Sequence, residues 1–230
     1  QDQAAERLAV LAEGARDFGV PASHAVLAGA PAPALLAESR RFGADLIVLA
    51  GRDRSSPLGL LGSTAARVFR SADTPVWIAR RGVRTPLRDV LAAVVLDEHS
   101  HVLRLAADTA RRTGARLHVL HVPTERDPAL SALAVDALEG WTRAHAADVR
   151  LGSVQTRSGQ PAEVILDAAA LIRADAVFIG PTRRSALLAQ LAGATTPLLR
   201  RLGSSLICAR GVPGSPRWPV ESLEAHAAAL

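Results

Sequence analysis

The stretch GAPAPALLAES at residues 29–39 recurs, with substitutions, as GQPAEVILDAA at residues 159–169. Two further pairs follow it: ADLIVLAG at 44–51 matches ADAVFIGP at 174–181, and TPVWIAR at 74–80 matches SSLICAR at 204–210. The two members of every pair are 130 residues apart. The two members of a pair also have the same predicted element, which is a helix in the first pair and a strand in each of the other two. The sequence therefore predicts two copies of one unit of domain size.

The second copy shows the most complete pattern of elements. Continuous apolar runs of strand length alternate with segments of helical spacing, and Pro161 stands at the first position of one predicted helix. Such strands are typical of a parallel sheet that helices cover on both faces. We therefore predict a doubly wound α/β fold with a parallel five-stranded sheet of order 3-2-1-4-5. The predicted strands are DVLAAVVL, ARLHVLHV, VRLGSVQTR, ADAVFIG and SSLICAR.

The first copy begins late. Its opening helix, QDQAAERLAVLAEGARDF, corresponds to the long second helix of the other copy, and a short strand is predicted at 23–28. The first strand, first helix and second strand have no counterpart, so we expect a fragment, or missing pieces that come from elsewhere. Strand 23–28 should then be displaced or paired unexpectedly, since its neighbour is missing. We expect the copies to pack through their final strands while keeping separate sheets. The predicted divisions are a partial domain at 1–82, a complete domain at 83–212, and a linker with a short C-terminal helix at 213–230.

Composition excludes several classes of protein. All 27 basic residues are Arg, the net charge is +5, and aromatic residues make up 3% of the chain, which does not favour a nucleic-acid partner. The lone Cys208 excludes an internal disulfide framework and lies in an apolar run, where a buried thiol is expected. No signal-peptide pattern and no apolar run of membrane-spanning length is visible, so a cytoplasmic protein is expected.

The loop after the fourth strand carries the most specific motif. Residues 46–80, LIVLAGRDRSSPLGLLGSTAARVFRSADTPVWIAR, resemble the phosphate loop, helix and final strand of universal stress proteins, whose motif is G-x2-G-x9-G-(S/T). Gly62, Ser63 and Thr64 match the end of that motif, while Ala50 and Asp53 replace its two earlier glycines and the loop is one residue shorter. An Asp repels phosphates, so this first-copy loop is expected to be degenerate, and Gly62 to Thr64 can equally begin a helix.

The second copy keeps the motif's spacing. The resemblance implies a nucleotide site that includes Gly180, Arg183, Gly193 and Ala194, together with Asp97 and Val122 after the first two strands. Arg183 replaces a glycine and can either pair with phosphate or fill the pocket. Asp97 matches the family's acidic residue at the nucleotide, and a helix N-terminus would favour it equally well. ATP, with Mg²⁺ if it binds, is the implied ligand, and no site for a resident metal is predicted.

Other reactive residues give weaker signals. His99, His101, His118 and His121 lack further ligands at metal-site spacing, so surface or capping roles are favoured. No GxSxG motif occurs, and the absence of Lys excludes a P-loop. Trp77 and Trp141 are expected to pack in a core or interface, and Trp218 in the linker could anchor the tail.

The resemblance covers about residues 1–212 and implies an adenine nucleotide α-hydrolase-like fold. We predict a non-catalytic stress-response regulator that binds ATP or AMP through a degenerate loop, with weak ATP hydrolysis compatible with that reading. The alternative is a nucleotide-free interaction module, such as the cytosolic regulatory domain of a cation transporter. An enzyme of the related α-hydrolase group is the third possibility, disfavoured because no acid–base or nucleophile constellation is visible. A homodimer or intrachain pairing and an unidentified protein partner are expected, with no nucleic acid and no membrane in this chain.

Overall fold

The computed structural model describes residues 2–51, 63–80, 82–94, 100–123, 135–136, 138–140, 142–144, 146–180, 198 and 201–210. Seven strands and five helices have defined bounds in these ranges. The strands are β1 (Ile47–Ala50), β2 (Val76–Ala79), β3 (Asp89–Val94), β4 (Arg116–His121), β5 (Leu151–Thr156), β6 (Ala176–Ile179) and β7 (Ser205–Cys208). The helices are α1 (Asp2–Asp17), α2 (Pro31–Phe42), α3 (Ser63–Ser71), α4 (Ser100–Thr113) and α5 (Pro161–Leu171). Residues 135–136, 138–140 and 142–144 are helical as well.

All seven strands belong to one sheet, in the order β1-β2-β7-β6-β3-β4-β5. Every pair is parallel except β2 with β7, which is antiparallel. The predicted α/β class and the 3-2-1-4-5 order of the second copy are confirmed by β5-β4-β3-β6-β7. The expectation that the two copies keep separate sheets is wrong: the final strands β2 and β7 pair edge to edge, so the sheet of one copy continues into that of the other and has seven strands.

The repeat is visible in the strand register. Ile47 lies opposite Val76 in the first copy, and Val177 lies opposite Leu206 in the second, with both positions shifted by 130 residues. Helices α2 and α5 also begin at equivalent prolines, Pro31 and Pro161, each preceded by an extended residue. The two stretches predicted to be equivalent therefore share one strand–helix arrangement.

The helices α2 and α5, which precede the equivalent strands of the two copies, end in the same way. Gly43 has a φ of 68° and Arg173, at the equivalent position, has a φ of 51°. The following amides bond back to equivalent carbonyls, Ala44 to Ser39 and Ala174 to Ala169. This left-handed ending suits Gly, and it is uncommon for a residue with a side chain such as Arg173.

Two apolar layers cover the sheet, one on each face. The first layer comprises residues of α2, α3 and α5 with Leu198 and Leu202, packed on strand residues such as Val76, Val177 and Leu206. The second comprises α4 and Leu138, packed on the opposite side chains of β3, β4 and β6. Cys208 lies in the first layer and is 2% exposed, which confirms the predicted buried thiol.

The β2–β7 pair joins the two copies about a local pseudo-two-fold axis. Trp77 lies opposite Ile207, its own repeat equivalent, and Val76 and Ile78 lie opposite Cys208 and Leu206. The pairing is therefore isologous, with the same positions from each copy in contact, as in a symmetric dimer. This confirms the predicted packing of the copies through their final strands.

The strand predicted at 23–28 does not form, and this expectation is wrong. Every residue of that segment is exposed and none has strand hydrogen bonding. Its equivalent in the second copy is β5, which pairs only with β4. Within residues 2–51 and 63–80 no counterpart of β3, α4 or β4 is present. Without a neighbouring strand, the backbone groups of 23–28 turn to water.

None of the helices with described bounds is both long enough and apolar enough to cross a membrane.

Candidate functional site

The carboxyl edge of the sheet in the second copy contains a topological switch point. β3 lies between β4 on one side and β6 on the other. After β3 the chain adds β4 and β5 on one side, and it then crosses back to add β6 on the other side of β3. In open parallel sheets, ligands bind in the crevice beside the carboxyl ends of two such strands. Here the crevice lies between the ends of β3 and β6.

Two of the predicted site residues lie at this edge. Val122 directly follows β4 and is 7% exposed, and Gly180 directly follows β6 and is buried. His121, beside Val122, donates its Nδ1–H to the Val94 carbonyl at the end of β3, with 3.1 Å between the heavy atoms. The ends of β3 and β4 are thus tied together next to the crevice.

The remaining predicted residues of the second-copy site lie outside the described residues. These are Asp97, Arg183, Gly193 and Ala194. Their part in a nucleotide site stays a prediction.

The first-copy loop is described only at its end. Gly62, like Asp53, lies outside the described residues, and Ser63 is the first residue of α3. Thr64 faces an open groove between α2 and α3, beside Arg67 and Arg70. The adjoining strand, β1, has β2 on one side and no strand on the other in the described part of the chain. Among the described residues, this copy therefore shows one wall of a switch-point crevice and no second wall.

The paired histidines do not form a metal site. His118 and His121 are three residues apart on β4, so their side chains lie on opposite faces of the sheet. Across the described residues, no group of three or more His, Cys, Asp or Glu side chains is close enough to hold a metal ion. His99 lies outside the described ranges, and His101 is on α4.

A polar network at the opposite, amino edge of the sheet holds the start of β3 to β6. The Asp175 carboxylate accepts the backbone N–H groups of Arg88 and Asp89 at 2.7 and 3.1 Å. Arg84 donates its Nε–H to the same carboxylate at 2.8 Å. Asp175 is 4% exposed. Burial raises the pKa of Asp175, but the hydrogen bonds from Arg84 and the two amides outweigh it, and the pKa lies below its usual value.

The same network continues across β4 to β5. Arg116 lies 2.9 Å from Asp89, and His118 donates its Nε2–H to that carboxylate at 3.2 Å. Its Nδ1 is hydrogen-bonded to the Ser153 hydroxyl, 2.9 Å away. Burial raises the pKa of Asp89, but Arg116 and His118 together bring it below its ordinary value.

A glycine makes room for the His118 ring. Gly152 is the extra residue of a β-bulge, since Leu117 lies opposite Leu151 whereas His118 lies opposite Ser153. A Cβ at Gly152 would lie 2.2 Å from the His118 Cε1 atom. The ring thus packs directly on the strand backbone and reaches both Asp89 and Ser153.

The sequence analysis missed this network. Asp89, His118 and Ser153 stand on three different strands, so no local spacing connects them. Asp89 and Asp175, each a charged residue directly before an apolar run, gave the signal that could have been noticed. The residues of the network form hydrogen bonds and ion pairs with residues of neighbouring strands. These contacts hold the strands together at the amino edge and so stabilise the sheet.

Comparison with known proteins agrees with this architecture. The family model described as "Universal stress protein family" matches residues 1–80 and 87–201. Among curated proteins, no match was found.

Two solved structures are similar over most of the chain. A universal stress protein from Archaeoglobus fulgidus DSM 4304 is 23% identical, with a TM-score of 0.69, and the alignment covers 91% of this chain and 77% of that one. A putative universal stress protein from Pseudomonas aeruginosa UCBPP-PA14 is 19% identical, with a TM-score of 0.72, and the coverage is 97% and 82%. At these identities, the likeness supports a shared fold. With the family model matching both copies, the chain belongs to the universal stress protein family.

Proposed function

We propose that the chain is a non-catalytic stress-response regulator that binds an adenine nucleotide at the carboxyl edge of its second copy. The observation that carries this proposal is the switch point at β3, where Gly180 and Val122 end the two strands beside β3. Asp97, three residues after β3, and the loop with Arg183, Gly193 and Ala194 would complete the crevice. In this proposal the loop amides and Arg183 face the phosphates, and Mg²⁺ accompanies the nucleotide.

The proposal assigns the site to a domain at 83–212, beside a partial domain at 1–82 and a tail at 213–230. Family membership supports the stress-response role, because the family model matches both copies. The first copy is expected to contribute no nucleotide site, since its crevice shows only one wall among the described residues and Asp53 adds a negative charge to its loop.

The test is calorimetric titration of the whole chain with ATP and with AMP, in the presence of Mg²⁺, for the unmodified chain and for Arg183→Gly. One charge-assisted contact to phosphate contributes about 1.5–3 kcal/mol, so its loss lowers affinity roughly 10- to 150-fold. Arg112→Ala is the matched control. It removes one positive charge from the exposed end of α4, at the opposite edge of the sheet.

Weaker binding by Arg183→Gly alone makes Arg183 a phosphate ligand, and tighter binding makes it a plug that occupies the phosphate position. An equal change in Arg112→Ala would point to general charge attraction instead. Absence of detectable binding by every variant would remove the nucleotide proposal.

The second candidate function is that of a protein-interaction module. The observation that favours it is the exposed apolar surface of the first copy, where Val10, Leu11, Phe18 and Phe42 are between 68% and 89% exposed. A surface of this kind is typical of a contact site for another protein. Binding of a partner without any nucleotide affinity would establish this candidate over the first.

A further inference from the structure

Ser153 lies next to a histidine and a carboxylate, and this combination of side chains can activate a hydroxyl as a nucleophile. Its hydroxyl oxygen is 2.9 Å from the Nδ1 atom of His118, and the Nε2 atom of the same ring is 3.2 Å from the Asp89 carboxylate. An activated nucleophile needs a base within hydrogen-bond reach and a third group that orients the base. The contacts of Ser153 meet both requirements.

The hydrogen-bond partners determine the direction in which the proton can move. An ionised carboxylate only accepts hydrogen bonds, so a neutral His118 ring carries its hydrogen on Nε2, which faces Asp89. The Nδ1 atom is then an acceptor, and the single hydrogen of the Ser153 hydroxyl is donated to it. Gln155 supports this orientation, because its Nε2–H donates to the Ser153 oxygen at 2.9 Å. In this form of the ring, His118 is in position to remove the hydroxyl proton.

The burial of the three side chains suits these roles. Asp89 and His118 are 4% and 8% exposed, so water weakens the hydrogen bond between them little. Ser153 is half-buried, on the strand β5. A small reagent can therefore reach the hydroxyl while the base and its carboxylate remain shielded.

A small cavity beside the serine indicates the size of the group that the site can accept. The cavity has a volume of about 10 Å³, and its lining includes His118, Ser153, Gln155, Ala168 and Leu171. A space of this volume holds about one water molecule, which is also close to the size of a methyl group. Leu171 is 75% exposed, so the cavity lies near the protein surface. The site therefore suits a short acyl group such as acetyl.

We propose that Ser153 is an acyl-acceptor site, with His118 as its general base and Asp89 as the residue that positions His118. The Ser153 oxygen forms a bond to the carbonyl carbon of a short acyl ester or thioester, and the bond from that carbon to the leaving oxygen or sulfur breaks. His118 takes the hydroxyl proton and passes it to the leaving group. The product is an acylated chain, so the step is a modification of the regulator and requires no turnover.

The experiment treats the whole chain with p-nitrophenyl acetate, follows the release of p-nitrophenolate, and locates acetyl groups by peptide mass spectrometry. The chain has no Lys and no Tyr, and Cys208 is buried, so few other side chains compete for the reagent. General-base assistance accelerates a reaction by about 100- to 10,000-fold, so Ser153 should be acetylated at least about 100-fold faster than Ser39. Ser39 is the matched internal control, because it is also half-buried but its hydroxyl donates to the Leu36 carbonyl.

Three variants test the individual roles. Ser153→Ala should abolish the fast release of p-nitrophenolate, whereas Ser39→Ala should leave it unchanged. His118→Gln still forms hydrogen bonds but cannot act as the base, so it should slow the acetylation of Ser153 by at least about 100-fold. Asp89→Asn should slow it by at least about tenfold, because the orientation and the tautomer of the ring are no longer fixed.

The pH profile of the unmodified chain keeps the proposal testable even where a substitution unfolds the protein. The rate of acetylation at Ser153 should rise with pH as the imidazole loses its proton and should then level off, whereas acetylation without a base follows the hydroxide concentration throughout. The other charged side chains in the described network are Asp89, Asp175, Arg84 and Arg116, and their charges stay constant over this range.

In Asp89→Asn, the rate should level off at a lower pH, because the carboxylate no longer favours the protonated ring; a purely structural role of Asp89 would leave that pH unchanged. Acetylation of Ser153 at the rate of Ser39, an undiminished rate in a folded His118→Gln chain, or a rate that never levels off would overturn the proposal. The network lies at the edge of the sheet opposite to the proposed nucleotide crevice, so these outcomes are independent of nucleotide binding.

Discussion

The Asp175 carboxylate offers a sharp test of the amino-edge network, because the repeat supplies its own control. Asp175→Ala removes the acceptor of two backbone amides and of Arg84, all within 3.2 Å. Leaving a buried donor unsatisfied costs about 1–3 kcal/mol, and this applies to the buried Asp89 amide. The Arg88 residue is exposed, so water can replace the acceptor of its amide and the expected total stays at about 1–3 kcal/mol. The Arg84 side chain is 41% exposed, so its ion pair adds little because solvent screens it. Asp45→Ala, at the equivalent exposed position, should change stability by less than about 0.5 kcal/mol.

The assay is urea unfolding followed by tryptophan fluorescence, with stability differences taken from the midpoints at equal slope. Asp175→Asn separates the charge from the hydrogen bond, because its amide oxygen still accepts an N–H, and about half of the loss is expected. Similar losses in Asp175→Ala and Asp45→Ala would refute the reasoning, since the two positions differ only in their partners.

The same carboxylates set a pH dependence. The pKa values of Asp89 and Asp175 in the folded chain lie below their usual value, so at acidic pH the folded chain binds fewer protons than the unfolded chain does. Their contribution is present in full above the unfolded pKa of about 3.9 and is lost as pH falls through the lowered folded values. At pH values below about 4, the urea concentration at the unfolding midpoint should therefore fall. The fall should be smaller in Asp175→Asn. An equal drop in both proteins would show that other groups control acid unfolding.

Three further predictions concern single contacts. Gly152→Ala should destabilise the chain by about 1–3 kcal/mol in urea unfolding, because its Cβ would displace the His118 ring, and unchanged stability would contradict that contact. Arg210→Ala should lower the free energy of unfolding by about 1.5–3 kcal/mol, because the guanidinium donates to the Phe69 carbonyl of the other copy at 2.5 Å; a neutral effect would show that β2–β7 pairing alone suffices. Cys208, which is buried with a pKa raised to about 11, should react with a thiol reagent only in denaturant, and rapid labelling of the folded chain would refute its burial.

The fold was predictable where local pattern and tertiary context agree. The strands β3, β4, β6 and β7 are buried almost throughout, and largely apolar strands that alternate with helical segments are typical of a parallel sheet covered on both faces. Residues 23–28 have a strand-like local pattern and form no strand. The repeat comparison indicated that their neighbouring strand is missing, but it did not reveal that the segment then forms no strand at all. The site was predictable only as far as the strand ends that hold Val122 and Gly180. The hydrogen-bonded chain from Asp89 to Ser153 depends on a bulge and on the register of three strands, which no local spacing encodes.

The two copies share a sequence motif and differ in the strands around it, so their comparison shows which features of a site depend on neighbouring strands. Both contain an Asp, an apolar strand and a small residue at its end, in ADLIVLAG and ADAVFIGP. In the second copy, Asp175 is bonded to β3 and Gly180 lies at a crevice between two strands; in the first, Asp45 is exposed and Gly51 ends an edge strand. A switch-point site needs a strand on each side, and among the described residues β1 has a strand on one side alone, so the shared motif does not by itself complete such a site in the first copy.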